Sequence, residues 1–103
     1  MKNIYYREKL IKLVEVCFLD TGDARSKFLK NEKFFENVYL ASHTTDEETK
    51  NRWEVVFREL NTKEELNLGN RQFSSYSMTV QSKRNSSLKK YLEFILEEFY
   101  KVL

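Results

Sequence analysis

The sequence predicts an all-α fold, a small helical bundle of four to five helices built as a single helical domain over residues 1–103. Three observations carry this. The 103 residues include no proline and two glycines, whereas all-β folds of this size draw heavily on both for their turns. Apolar residues recur at helical spacing along most of the chain. Aromatic residues make up 15% of it, and each ring buries a large area, so few positions suffice for one compact core. A chain of this length supports one domain with a modest core rather than two.

Asn3 is placed to cap a first helix running to about Asp20, on which Leu10, Leu13, Val14, Cys17 and Phe18 share a face. Gly22 is placed to end that helix in a left-handed turn, and Asp23 to cap the next. A second helical region covers residues 24–41. It aligns Ala24, Phe28, Phe35, Val38 and Tyr39, with Asn31 as the point where it would break in two. Residues 42–45 form a polar link. Thr45 with Glu48 has the spacing of a capping box, followed by a third helix to about Leu60 with Trp53, Val56, Phe57 and Leu60 as its buried stripe. Residues 61–70 are the least regular; Thr62 with Glu65 suggests a short helical turn that Gly69 would end. Residues 73–80 fit both a helix and strand alternation. Helix is the expectation, because a lone strand would lack a partner. The last helix, capped by Asn85 or Ser86, runs to about Val102. Leu88, Tyr91, Leu92, Ile95, Leu96, Phe99 and Val102 form a wide apolar face on it.

Charge is unevenly spread. Residues 66–92 contain no Asp or Glu and hold Arg71, Lys83, Arg84, Lys89 and Lys90, a local +5 against a net +2 for the chain. With Asn85, these residues outline an anion- or nucleic-acid-binding face, and the start of the last helix adds backbone N–H groups that favour anions. The bland alternative is that Glu93, Glu97 or acids of the third helix neutralise it. Lys27, Lys30 and Lys33 form a second basic group, of the kind usually found on a solvated face.

Several chemistries lack their residues. One Cys and one His cannot build a conventional structural zinc site. Gly22 and Gly69 fit no phosphate-binding or dinucleotide pattern. Helical ribonucleases of the HEPN type need an Arg four to six residues before a His, and no Arg lies between Arg25 and Arg52 to serve His43. Cys17 falls on an apolar face and reads as an inert core thiol. The carboxylate pairs Glu64 with Glu65 and Glu97 with Glu98 read as surface pairs that form no site alone. No catalytic residue, cofactor or metal is therefore expected. The charged first twelve residues lack a signal-peptide core, and no apolar run approaches the roughly 20 residues of a membrane span. A lone cysteine fits a reducing cytoplasm.

Gly22-Asp23-Ala24-Arg25 follows the first helix, and Arg84-Asn85-Ser86-Ser87 precedes the last, which ends in Phe99-Tyr100-Lys101-Val102-Leu103. In these segments the chain resembles a loose set of small uncharacterised bacterial helical proteins with a GD-[AV]-R turn and a late RN-S/T segment. The set often has a Pro where Thr44-Thr45-Asp46 stands here. The resemblance implies a stand-alone helical protein and supplies no activity. It directs attention to Arg25 and Arg84. Arg25 could be held by the Asp23 or Asp20 carboxylate, tying elements together, or could share an anion pocket with Arg84 and Asn85.

The aromatic pairs Tyr5 and Tyr6, Phe34 and Phe35, and Phe99 and Tyr100 are adjacent, and both members of such a pair cannot point into one narrow core. Phe34 and Tyr100 are therefore candidate partner contacts. The expected function is a non-enzymatic interaction module, a bacterial or phage accessory or regulatory protein that binds a protein partner or itself as a homo-oligomer, with no membrane or metal involved. The alternative is a nucleic-acid-backbone-binding protein using residues 66–92.

Overall fold

The computed structural model describes residues 4–103, which places the cap expected at Asn3 outside the described residues. Along the chain run α1 (Ile4–Phe18), α2 (Ala24–Lys30), α3 (Glu32–Ser42), α4 (Glu47–Glu59), β1 (Leu66–Leu68), β2 (Arg71–Phe73), α5 (Ser75–Ser82) and α6 (Asn85–Lys101). The fold is helical as expected, but the described residues form six helices rather than four to five, and a two-stranded antiparallel hairpin accompanies them.

Local chemistry explains the boundaries. α1 stops at Phe18, two residues short of the expected end. Gly22 does not adopt the left-handed turn, since Gly69 has the one positive φ among the described residues. Instead the Gly22 N–H donates to the Asp20 carboxylate at 3.0 Å. A Cβ at Gly22 would stand 3.1 Å from Ser26 Oγ, so closeness rather than φ favours glycine there. Asp23 caps α2 as expected, accepting from the Ser26 N–H at 2.8 Å. Asn31 breaks the second region into α2 and α3, its amide turned back to the Lys27 carbonyl at 2.9 Å.

The cap of α4 is Asp46, which accepts from the Thr49 N–H at 2.8 Å, and not the Thr45 and Glu48 capping box. Thr45 Oγ1 is engaged with the Ser42 carbonyl instead. The Thr49 N–H holds the Asp46 carboxyl below its ordinary pKa. At α6 the cap is Arg84, without a side-chain hydrogen bond, rather than Asn85 or Ser86. The Asn85 side chain is used elsewhere.

The stretch expected to make a helical turn ended by Gly69 is the hairpin. Leu66 pairs with Phe73, Asn67 with Gln72 and Leu68 with Arg71. Its two-residue loop is Gly69 and Asn70, with φ +63° at Gly69 alone. Positive φ at only the first loop residue is the pattern of a type II′ turn, which suits the twist of the flanking strands. The partner that residues 73–80 lacked is thus supplied to Phe73 by Leu66. Ser74 then caps α5, accepting from the Ser77 N–H at 3.0 Å, and the helix expected there forms.

α1 packs on α3 and α6, α4 on α3, and α2 on α5 and α6. The core between them is rich in aromatic rings. Trp53 sits fully buried, its ring 5.9 Å from Phe35, 4.9 Å from Phe94 and 6.4 Å from Tyr6. Its indole N–H donates to the Tyr6 hydroxyl at 2.7 Å. Phe28 continues the row between Phe35 and Tyr91. Phe18, expected on the buried face of α1, is exposed, with the Lys27 ammonium 5.6 Å over its ring.

Cys17 is buried in this core as expected. Desolvation pushes its thiol up to about 11, so little thiolate exists at neutral pH. Native protein should resist alkylation at pH 7.5 and react promptly once denatured, as intact-mass measurement would show. Fast labelling of the folded chain would contradict the packing of α1.

Candidate interaction surface

Every residue from 62 to 72 is exposed, and within that stretch lies most of the hairpin. Side chains of a strand alternate between faces, and residues directly paired across strands share one. Leu66, Leu68, Arg71 and Phe73 therefore lie on one face, and Asn67 and Gln72 on the other. Leu66 is 39% and Leu68 56% exposed. The Arg71 guanidinium lies 5.2 Å over the Phe73 ring. Leu66 and Phe73 from this face and Asn67 and Gln72 from the other line a cleft of about 430 Å³ together with Glu32 and Ser74.

Among the described residues, the side-chain hydrogen bonds that fasten the hairpin to the helices lie at its base. The Lys63 N–H donates to Thr79 Oγ1 at 2.9 Å, and Ser75 Oγ donates to the Lys63 carbonyl at 2.6 Å. Ser74 Oγ donates to the Glu32 carboxylate at 2.7 Å. The sheet has two strands, so among the described residues no further strand pairs with the outer edge of β1 or β2.

The basic residues fall on neighbouring elements. Arg71 is on β2, Lys83 caps the end of α5, Arg84 begins α6, and Lys89 and Lys90 follow one turn later. All but the half-buried Lys83 are exposed. Among the described residues, the ion pairs within 4.0 Å involve Lys30, Lys33, His43, Arg52 and Lys101, and none of these five. The expected neutralisation by Glu93, Glu97 or the acids of α4 does not take the form of direct ion pairs. Lys90 lies 5.0 Å over the Tyr91 ring.

Arg25 and Asn85 meet, but they bind each other's elements. The Arg25 N–H donates to Asn85 Oδ1 at 2.8 Å, and the Arg25 guanidinium donates to the Lys83 carbonyl. The Asn85 amide reaches the Asp23 carboxylate at 3.3 Å. The result ties the start of α2 to the turn between α5 and α6. The holding group for Arg25 is thus a carbonyl rather than Asp20 or Asp23, and Asp20 pairs with Lys30 at 2.7 Å. Arg84 is exposed.

The partner candidates differ in exposure. Tyr100 is 62% exposed, beside Phe99 at 6.1 Å between ring centres. Phe34 is half-buried against the core and lines a shallow cleft with Glu8, Lys9, Lys12 and Asn37.

One charged cluster was hidden from sequence reasoning. Glu98 is not a surface residue: its side chain is 2% exposed. It accepts from Arg52 Nε at 2.9 Å and Nη2 at 3.0 Å, and from Lys101 at 2.9 Å. The carboxylate raises the pKa of Arg52 further. The signal was available, since Glu98 stands three residues after Ile95 and seven after Tyr91 on the apolar face of α6. This cluster lines a cleft of about 800 Å³ with Asp46, Thr49 and Arg7 among its walls. Arg52 and Lys101 pair with Glu98, while Arg7 donates to the Val102 carbonyl and Asp46 caps α4.

No family model, curated protein or solved structure matches this chain. Among the described residues no group of three His, Cys, Asp or Glu side chains is placed to hold a metal ion, and no helix is long and apolar enough to cross a membrane.

Proposed function

We propose that the chain is a non-enzymatic protein-interaction module, an accessory or regulatory helical protein whose docking element is the β1–β2 hairpin. The carrying observation is the hairpin itself: two open strand edges beside a face of exposed leucines. Such edges are templates for pairing with another strand, and proteins that do not use them usually blunt them. Tyr100 adds exposed aromatic area on α6. The resemblance to small stand-alone bacterial proteins and the lone buried cysteine agree with an accessory role in a reducing cytoplasm.

The test separates docking from folding. Leu66→Ser with Leu68→Ser should leave the melting temperature within a few degrees of wild type, because exposed substitutions cost little, within about 0.5 kcal/mol each. The same variant should lose association. A fall in melting temperature as large as that of a core substitution would assign the leucines to the fold and defeat the reading.

A second reading rests on the absence, among the described residues, of ion pairs at Arg71, Lys83, Arg84, Lys89 and Lys90: these residues bind a nucleic-acid backbone. Phosphate contacts release counterions, so affinity for a mixed nucleic-acid pool should drop steeply with salt, by roughly 100- to 500-fold between 50 and 200 mM if all five engage. Binding that ignores salt, or survives Lys89→Ala with Lys90→Ala unchanged, would count against it.

A further inference from the structure

We infer that the occupant of the hairpin's open edge is a second copy of this chain, paired β1 to β1 about a twofold axis at Asn67. The inference rests on the reading of the hairpin as docking element and names its partner.

The backbone selects the residue on the axis. In a hairpin closed by a two-residue loop, the pair flanking the loop is hydrogen-bonded, and such pairs alternate with non-bonded ones. Leu68 with Arg71 is that flanking pair, so Asn67 with Gln72 is the non-bonded one and Leu66 with Phe73 is bonded again. The N–H and C=O of Asn67 therefore point away from β2, to the open edge. Two copies of Asn67 can exchange both hydrogen bonds, as a twofold antiparallel seam requires.

The side chains agree with that axis. Pairing about Asn67 sets Leu66 against Leu68 of the other copy, twice. Across the four strands one row then reads Phe73, Leu66, Leu68, Arg71, and the next row reads the reverse. Six apolar side chains become contiguous, bracketed by an arginine at each end. On the other face the row is Gln72, Asn67, Asn67, Gln72, and primary amides carry both donors and acceptors for their own kind. Charge does not oppose the seam. Glu64 and Glu65 fall opposite Asn70 and Gly69, so neither faces its own copy. A seam about Gln72 on β2 would instead set Arg71 against Phe73 and leave the leucines at the outer strands. A two-stranded sheet is marginal alone, and two more strands remedy this. The seam is short for a stable interface, which needs roughly 1,200 Å² in total, so the dimer should be weak, with a Kd on the order of 10 μM.

Sedimentation of the full chain over roughly 1 μM to 1 mM should show the mass doubling across the range. Asn67→Pro removes the outward N–H without removing a hairpin bond, so it should stay monomeric with an unchanged helical circular dichroism spectrum. Gln72→Pro removes the equivalent group from the other edge and should dimerise like wild type. A register test avoids proline altogether. Leu66→Lys with Leu68→Glu places opposite charges across the seam and should retain dimerisation, while Leu66→Lys with Leu68→Lys places like charges and should abolish it. Wild type that stays monomeric throughout, Asn67→Pro that dimerises, or two double variants that behave alike would each overturn the pairing. Those results concern mass; the docking role of the leucines fails separately, on the melting temperature of the serine variant.

Discussion

Trp53→Ala should be among the most damaging single substitutions in this protein, lowering stability by about 3–5 kcal/mol. The indole has no solvent exposure, touches Tyr6, Phe35 and Phe94, and draws α4 onto α1, α3 and α6. Alanine there removes the transfer energy of a large ring and leaves a cavity that three further rings cannot easily close. A domain of this size holds only about 5–15 kcal/mol in total, so the melting temperature should fall by roughly 15–30 °C. Thermal denaturation by circular dichroism is the suitable probe, because Trp53 is the sole tryptophan and its fluorescence disappears with it. Trp53→Phe should cost far less, about 1–2 kcal/mol, because most of the ring area returns and mainly the bond to the Tyr6 hydroxyl is lost. A Trp53→Ala chain melting within a few degrees of wild type would mean that this aromatic row does not hold the bundle.

What the sequence revealed and what it hid have a common physical basis. Helical periodicity is written by burial, and the buried stripes of α1, α3, α4 and α6 follow it closely. Asp23 and Asn31 act locally, so their roles as cap and breaker were readable. Caps that depend on competition were less so. Asp46 displaced Thr45 as the cap of α4 because the Thr45 hydroxyl bonds backward to Ser42. Asn85 cannot cap its own helix while its side chain accepts from Arg25 on α2, a contact sixty residues away that no local pattern encodes. The hairpin was missed for the opposite reason. Its strands have three residues each and stay largely exposed, so no burial pattern marks them, and Gly69 fits a helix end as well as a turn. Phe73 reads as helix until Leu66 is seen beside it. Of the candidate site residues, the basic ones were legible as a composition gap, but which of them would be spent internally was a question of tertiary contact. Arg25 and Asn85 are spent; Arg71, Arg84, Lys89 and Lys90 are not.

Glu98 was misread because charge in a sequence argues for the surface, and its periodicity argued for the core. The second large effect follows from that conflict. Arg52→Ala should strand a carboxylate that is 2% exposed, leaving it Lys101, which is itself 54% exposed, and the neutral Tyr6 hydroxyl. Removing one partner of a fully buried pair costs about 3–5 kcal/mol. The Arg52 side chain is 34% exposed, so solvent screening and the remaining ammonium should reduce this to roughly 2–3 kcal/mol, or about 10–20 °C in melting temperature. Replacing both partners, as Arg52→Met with Glu98→Leu, should recover most of the loss, since an apolar pair of similar volume has no charge to desolvate. Lys101→Ala alone should cost under about 1 kcal/mol, as exposed pairs do. A double-mutant cycle measures the point directly: strong coupling between Arg52 and Glu98 is expected, and coupling near zero would show that the carboxylate is solvated and the brace between α4 and α6 is not one. Neither residue belongs to the hairpin. The double variant should therefore associate as wild type does, whereas Arg52→Ala should lose association only as far as it loses the fold.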